Sequence, residues 1–503
     1  MNAFKKKALV SALVAGFGMA AGAAQAVYLN PSGLGSTLLF PYYTVQSANG
    51  NAFNTYVSVV NTTDMVKVVK VRFREGKNSR EVLDFNLYLS PNDVWTGAVV
   101  PAGTGDADPA RLVTADASCT NPAIPTSGVN FRNYEYSGAR DDEIGLGLER
   151  TREGYLEMIE MGELDPTVAP GDAAVHSDGV PDDCPSLRGV TVPAVVAAIT
   201  PPLGGLSGTG TLINVNSGSD MGYNAIALDD VLPINGPLGA TLYAEIGNDD
   251  PNFAQFDGVS AVISGQFAYR ADWNFGEDAV SALFMHADVI NEYVLDDVTL
   301  SNTDWVMTFP TKRYYTPYAL PAFEPFTEDL TEDGACEPIS FSYFNREEAG
   351  QAATDPDFSP LPPGGAASSL CWESTVLSIR NGADHMPTGT ASGVLGSVNS
   401  TTVQIDNSFQ NGWANLHFTG ANADGTPPAP ALPGIGLVSL GTSEILDIAN
   451  GGVAAAAAQT YWGLPVTGFM VRTFNNGTLT CGTASCQGNY SAAFGHKYRQ
   501  LIQ

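Results

Sequence analysis

The fold is decided by residues 66–89, VKVVKVRFREGKNSREVLDFNLYL. Residues 69–73 place valine and phenylalanine on one face of an extended chain. The basic residues of 70–74 fall on the opposite face, because strand side chains alternate. Residues 81–89 alternate in the same way, and the polar loop 75–79 lies between the two segments. This pattern predicts an antiparallel β-hairpin with one apolar and one charged face.

Further short strands flank this hairpin on both sides. They are expected at residues 36–40, 54–60, 94–100 and 155–161. The first should stop at Pro41, since proline lacks the N–H that a sheet needs. Short alternating strands with turns every 8–12 residues or so are typical of an antiparallel β-sandwich. We expect the apolar faces to form the core and the other faces, basic residues included, to meet solvent.

The second half of the chain repeats this pattern. Strands are expected at residues 210–216, 222–228, 304–310, 374–379, 412–418 and 466–474, and helices at 278–293 and 451–461. The predicted fold class is all-β, with antiparallel Ig-like or jelly-roll-type β-sandwiches, long Pro/Gly-rich loops and few short helices. Residues 27–165 are assigned to an N-terminal β-sandwich, 166–209 to a Pro/Gly-rich linker or insertion, and 210–503 to a C-terminal β-rich domain. Whether the two β-rich regions are independent stays open.

Residues 1–26 have the pattern of a secretory signal peptide. Three lysines at 5–7 precede an apolar segment at 8–19, and Ala24-Gln25-Ala26 forms a small-x-small cleavage site. No later segment offers the ~18 uninterrupted apolar residues of a membrane-spanning helix. The mature chain is therefore expected outside the inner membrane, at the cell surface, in the periplasm or in the medium, without a transmembrane segment.

Charge excludes one class of partner. The 503 residues include 53 acidic and 23 basic side chains, for a formal net charge of −30. Such a chain repels phosphate backbones, so nucleic-acid binding is not expected. Six of the basic residues fall within 67–80, where two interpretations stand. The run is either a cationic docking patch, which would suit an acidic surface of a second copy, or a solvated strand face paired with Glu81 and Asp84 across the hairpin.

The cysteines point to disulfides. All six, an even number, follow the signal peptide, as in exported proteins with disulfide frameworks. Six cysteines allow 15 connectivities. Local pairing is the least demanding choice, namely Cys119–Cys184, Cys336–Cys371 and Cys481–Cys486.

Motifs of catalysis and metal binding are missing from the sequence. The five histidines form no HxH or HExxH spacing, and no GxSxG nucleophile elbow occurs. A glycosidase carboxylate pair cannot be chosen among so many acids. Asp249, Asp250 and Asp257 are weak candidates for calcium ligands, as are the pairs at 229–230 and 296–297. The alternative is that all of these are solvated acidic turns, and no other cofactor is indicated.

The six tryptophans are spread singly along the chain. Tryptophans in strands usually belong to the core, but an exposed aromatic pair forms a platform on which sugars stack. A carbohydrate-binding or carbohydrate-cleaving β-sandwich would show such a pair beside two carboxylates.

Several segments are similar to a family of exported, cell-surface-type β-rich proteins of Gram-negative bacteria. They are GLG at 33–35, FPYYT at 40–44, VNTT at 60–63, VRFREGKNS at 71–79, LDFNLYLSP at 83–91, WVMTFPTK at 305–312 and FQNGW at 409–413. The resemblance implies a full-length architecture of this type. It carries over no activity and no functional residues.

Together these features favour an exported, non-enzymatic protein of the cell surface or periplasm with a structural or adhesive role. The expected partners are a second copy of the chain, bound through sheet edges, or a surface glycan. The alternative is a carbohydrate-binding or carbohydrate-cleaving β-sandwich protein.

Overall fold

The computed structural model describes residues 26–48, 51–189, 192–230, 250–352, 369–381, 391–418, 436–441, 443–450, 452–482 and 484–503. The chain is mostly β, arranged in sandwich-type sheets, as predicted, and the pairing is antiparallel except between residues 376–380 and 400–404. The described helices are all too short or too polar to cross a lipid bilayer.

The first part of the chain forms a double sheet. Its strands are β1 (Tyr28–Leu29), β2 (Thr37–Thr44), β3 (Asn54–Asn61), β4 (Val66–Glu75), β5 (Glu81–Leu89), β6 (Val94–Pro101), β7 (Ala110–Val113), β8 (Cys119–Asn121), β9 (Val129–Asn130), β10 (Glu153–Leu164), β11 (Leu206–Asn214), β12 (Ser219–Asn224) and β13 (Ile226–Asp229). Sheet 1 has the order β1-β13-β2-β10-β4-β5-β8, and sheet 2 the order β9-β7-β6-β3-β11-β12. The apolar faces of both sheets, including Val71, Phe73, Val59 and Trp95, share one buried core.

The second part forms another double sheet with smaller sheets beside it. Its strands are β14 (Val259–Ser264), β15 (Phe267–Asp272), β16 (Asp288–Val294), β17 (Asn302–Thr308), β18 (Ser340–Asn345), β19 (Gly350–Ala352), β20 (Ser374–Arg380), β21 (Ser400–Gln404), β22 (Asn411–His417), β23 (Gly436–Val438), β24 (Glu444–Asp447), β25 (Gly452–Ala455), β26 (Thr460–Trp462), β27 (Thr467–Cys481), β28 (Ala484–Gly495), β29 (Lys497–Arg499) and β30 (Leu501–Ile502). Sheet 3 has the order β21-β20-β17-β27-β28, and sheet 4 the order β19-β18-β22-β16-β29.

Smaller elements complete the fold. Two short sheets have the orders β14-β15-β24-β25 and β23-β26-β30. Two-residue strands at 47–48, 51–52, 176–177, 180–181, 285–286, 337–338, 369–370 and 464–465 pair locally or across the chain and are left unnumbered. The described α-helices are α1 (Cys184–Gly189), α2 (Val192–Ala198), α3 (Gly276–Phe284) and α4 (Lys312–Tyr315), and short 3-10 helices lie at Tyr134–Tyr136, Gly138–Arg140, Leu148–Arg152, Gly171–Ala174 and Phe253–Gln255.

Sheet 3 is covered on both faces. On one face Trp305 packs against Phe341 of sheet 4, with ring centroids 5.8 Å apart. On the other face Val306 and Phe469 join the core of the first double sheet, and Phe469 stacks on Tyr223 at 4.6 Å. The two parts of the chain are therefore joined by continuous apolar packing.

The charged face of the hairpin is buried, so the expectation that it meets solvent was wrong. Lys70, Arg72 and Arg74 have relative exposures of 0–1 %. Arg72 donates to the main-chain oxygens of Pro251 (2.6 Å) and Asp250 (3.2 Å), which belong to the segment that follows the first double sheet. Alternation along a strand shows that two faces differ, but it does not show what covers each of them.

Carboxylates compensate these buried cations. Lys70 pairs with Asp84 at 3.0 Å and Arg72 with Glu81, the two partners predicted across the hairpin. On the other side, Arg74 Nε lies 2.8 Å from Glu157 Oε2 of β10. Burying an ion costs several kcal/mol unless it is paired and hydrogen-bonded, so this layer is stable only with its cations and anions in balance.

The loop of the hairpin is built around Glu75. Its carboxylate accepts hydrogen bonds from the backbone N–H groups of Lys77 (2.8 Å), Asn78 (3.0 Å) and Arg80 (3.1 Å). Arg150 pairs with the same carboxylate at 2.9 Å. The loop then fits against the second part, where Ser374 N–H donates to Gly76 O at 2.8 Å.

The domain boundaries differ from those predicted. β11 begins inside the expected linker and pairs with β3 from Leu206↔Asn61 to Ile213↔Asn54. The first double sheet thus extends to residue 229, and residues 165–205 form an insertion between β10 and β11. Local composition did not reveal this, because the pairing partner of β11 lies about 150 residues earlier in the chain.

Three local predictions were wrong. The first strand continues through Pro41, at a point where the pairing of β2 with β10 shifts register and needs no regular N–H. The helix expected at 278–293 ends at Phe284, and residues 288–294 form β16, as their β-branched and aromatic content favours. In the alanine-rich segment, residues 452–455 form β25, where pairing with β24 overrides alanine's helix propensity.

Two predicted disulfides are confirmed. Cys119 is bonded to Cys184, which ties α1 of the insertion to β8 of sheet 1. Cys336 is bonded to Cys371. The side chains of Cys481 and Cys486 lie outside what the structure describes, so the third pair stays a prediction.

The buried ion layer generates a first prediction. Glu157→Gln removes the negative charge that faces Arg74, and we expect the free energy of unfolding to fall by roughly 3–5 kcal/mol. Glu347→Gln is the matched control, because Glu347 pairs with Arg346 on the exposed surface and such pairs contribute ~0.2–1 kcal/mol. Urea denaturation of both variants measures the difference, and equal losses would contradict a stabilising role for the layer.

Candidate functional site

Sheet 4 has one face in the core and one face outward. Alternate residues such as Val289, Tyr293 and Leu416 pack inward against sheet 3. The residues between them lie on the opposite face, because strand side chains alternate; Glu292 and Trp413 of that face are exposed, whereas Asp288, Asn415 and His417 are buried. This outward face carries aromatic residues at one end and polar residues at the other.

An aromatic pair lies at the first end. Phe344 of β18 and Trp413 of β22 are directly opposite each other and stack with ring centroids 4.4 Å apart and planes at 14°. Trp413 is 42 % exposed. Glu292 of β16 lies opposite Trp413 on its other side, so a carboxylate borders the platform. The ring of Phe344 also lies against Gly350, its neighbour on β19, where a side chain would collide with the ring.

The platform continues onto the hairpin of β27 and β28. Arg472 lies 3.2 Å from Glu292, and its guanidinium lies over the ring of Phe494 at 4.7 Å. Phe474 follows on the same strand face, opposite the exposed Tyr490. We name this surface the aromatic strip; its members are Phe344, Trp413, Glu292, Arg472, Phe494, Phe474 and Tyr490.

A polar cluster lies at the other end of sheet 4. His417 Nδ1 contacts Asp288 Oδ1, and Arg499 Nη1 lies 2.8 Å from Asp288 Oδ2. Ser342 Oγ lies 3.4 Å from His417 Nε2. Asn415 is directly opposite Ser342 and lies between His417 and Trp413 on β22. The polar cluster and the Phe344–Trp413 pair therefore share one face of sheet 4.

This face meets part of what a carbohydrate site requires. An aromatic pair with one exposed member is present, and the carboxylates Glu292 and Asp288 are on the same strand face. Asp288 is engaged by His417 and Arg499 and is 4 % exposed. It cannot serve as the second member of a glycosidase pair, which needs two carboxyl groups open to the sugar.

The calcium candidates are not brought together. Asp249 lies outside the described residues. Asp250 Oδ1 accepts a hydrogen bond from Asn252 at 3.3 Å, and its main-chain oxygen accepts from Arg72. Burial raises the pKa of Asp257, which disfavours the charged form that a cation needs. Within the described part of the chain, no three His, Cys, Asp or Glu side chains form a metal-binding group.

Some tryptophans lie in the cores and one is exposed, so core packing and the sugar-stacking platform are both represented. Trp95, Trp273 and Trp305 are buried in the cores. Trp413 is the exposed member of the aromatic pair, so the platform hypothesis survives at this residue alone among those four.

A second cluster of titratable groups lies under the hairpin loop. Tyr155 OH donates to Ser79 Oγ at 2.7 Å, and Ser79 donates to Glu373. Burial raises the pKa of Glu373 to about 7, although Ser79 and the ammonium of Lys312 lower it in part. Burial also lowers the pKa of Lys312 to about 8. All four side chains are at most 1 % exposed, so the cluster fastens the loop to the second part rather than receiving a substrate.

Comparison with protein-family models, curated proteins and solved structures finds no match to the chain. The resemblance to exported Gram-negative proteins therefore stays a proposal.

The Glu373 cluster generates a pH prediction. Its raised pKa means that the folded state binds more protons than the unfolded state between about pH 4.5 and 7, so this group's contribution to stability is lost as pH rises through that window. The stability of Glu373→Gln relative to the native chain should therefore increase from pH 5 to pH 8, by on the order of 1–3 kcal/mol.

Urea denaturation at several pH values measures this change. Glu332→Gln, on an exposed loop, is the control and should follow the native chain at every pH. A constant difference between Glu373→Gln and the native chain would show that Glu373 does not titrate in this range.

Proposed function

We propose that this protein is exported to the cell surface or periplasm, where it has an adhesive role and binds carbohydrate through the aromatic strip. The observation that carries the proposal is the stacked Phe344–Trp413 pair, in which Trp413 is exposed, with Glu292 beside it. Sugar rings present apolar C–H faces to aromatic rings and hydroxyls to neighbouring polar groups. Glu292 and Arg472 supply such an acceptor and donor at the platform's edge.

The overall charge narrows the ligand. A net charge of −30 repels polyanions at a distance, so sulfated and uronic-acid polymers are disfavoured. The Glu292–Arg472 pair is locally balanced and adds no net cation to the strip. We therefore propose neutral glycans as the ligand class.

Export is supported by the amino-terminal sequence and by chemistry. The basic start, apolar segment and small-residue cleavage motif of residues 1–26 fit a signal peptide. The disulfides at Cys119–Cys184 and Cys336–Cys371 fit an oxidising compartment.

The aromatic strip generates a binding prediction. Trp413→Ala should weaken glycan binding about tenfold or more, because truncating a central exposed aromatic anchor costs more than ~1.4 kcal/mol. Tyr134→Ala is the matched control, since Tyr134 is 68 % exposed but belongs to the first part of the chain. An array of neutral glycans identifies the ligand, and calorimetry with the selected glycan compares the variants.

Two results would contradict the proposal. One is an array without a bound glycan, and the other is equal binding by both variants. Light scattering on the same samples tests self-association: an oligomer that dissociates in Trp413→Ala, without glycan binding, would instead assign the strip to contacts between copies.

A further inference from the structure

The polar cluster of sheet 4 has a defined hydrogen-bond order. A carboxylate can only accept, so the Asp288 contact requires that His417 Nδ1 carries the proton. When Nδ1 carries the only ring proton, Nε2 is an acceptor, and Ser342 Oγ is 3.4 Å away from it. The order is hydroxyl, imidazole, carboxylate, which is the order that activates a serine nucleophile.

Burial and packing hold this order in place. His417 and Asp288 are 7 % and 4 % exposed, and Arg499 binds the second oxygen of Asp288 at 2.8 Å. Arg499 thus orients the carboxylate while leaving Oδ1 to the histidine. Ser342 itself is half-buried and has a second acceptor, Asn415 O, at 3.5 Å. Contacts of this length are typical before substrate binds and shorten in the reacting complex.

Asn415 offers the remaining requirement. It lies directly opposite Ser342 on the same outward face, which places the two Cβ atoms within about 5.5 Å of each other. The residue is 7 % exposed, and the nitrogen of its side-chain amide is a hydrogen-bond donor. The side-chain amide next to the hydroxyl can donate to an oxyanion that forms there.

We infer that Ser342 and His417 hydrolyse esters, and that their substrates are O-acyl groups on the carbohydrate bound at the aromatic strip. The activity stands on the polar cluster alone, whereas the substrate class rests on the proposed function. Trp413 precedes Asn415 by two residues on the same strand face, so a sugar stacked on the platform lies beside the hydroxyl.

The reaction uses water as its second substrate. Ser342 Oγ attacks the acyl carbon while its proton passes to His417 Nε2. The bond from the acyl carbon to the sugar oxygen then breaks, and that oxygen takes the proton from His417. Water attacks the acyl-serine, gives a proton to His417, and releases the carboxylic acid as Oγ regains that proton. Asp288 is a positioning residue that holds the histidine tautomer and takes no proton.

The experiment uses a small phenyl ester, because it carries no sugar and reports on the polar cluster alone. The full-length oxidised protein should hydrolyse p-nitrophenyl acetate above the protein-free rate and react with a fluorophosphonate probe at Ser342. Ser342→Ala and His417→Gln should lose about 10³-fold in rate and lose the label. Ser408→Ala, on an exposed turn, should behave as the native chain. Asp288→Asn should lower kcat with KM unchanged, which a merely structural role would not do.

The inference is overturned if the native protein does not exceed the protein-free rate, or if folded Ser342→Ala keeps the activity or the label. Circular dichroism establishes that each variant is folded. Failure of the glycan array with hydrolysis intact would remove the proposed ligand and leave the activity standing. Glycan binding without hydrolysis would remove the inferred activity and leave the proposed ligand standing.

Discussion

The pairing of the buried cations on β4 is the constraint on which the rest of the structure depends. Lys70, Arg72 and Arg74 are buried, and each is paired with a carboxylate of the same chain. Carboxylates of β5 and β10 balance their charge, and main-chain oxygens of residues 250 and 251 complete the hydrogen bonding of Arg72. Without the second part of the chain, this charged face would be open to water. Its burial therefore depends on the contacts between the two parts.

A second set of contacts between the two parts fixes the position of sheet 3. Sheet 3 is held against the first double sheet by Phe469 on Tyr223 and by Glu153, which accepts hydrogen bonds from the backbone of Val398 (3.0 Å) and Asn399 (3.1 Å). Sheet 4 packs on the opposite side of sheet 3. The face of sheet 4 that points away from sheet 3 therefore carries the aromatic pair and the polar cluster on a packed support. Sites on such supports keep their geometry better than sites on loops.

Sequence alone predicted the alternation, the hairpin, its ion-pair partners and the two local disulfides, because these depend on neighbours within one strand, one turn or one loop. It did not predict that the charged face is buried, since periodicity carries no information on what covers a strand. Residues Trp413, Asn415 and His417 showed a polar and aromatic parity within 412–418. Ser342 and Asp288, the partners of His417, are 75 and 129 residues away from it in the chain. Only the strand order of sheet 4 brings this cluster together.

Native-state hydrogen exchange in a denaturant series tests the central claim, that the buried charge layer makes both parts one cooperative unit. The account predicts that the most protected amides of β4 and of β17 exchange with the same opening free energy and the same denaturant dependence. A lower opening free energy for β17, with β4 still protected, would contradict it, because the second part would then unfold while the charged face of the first remained stable.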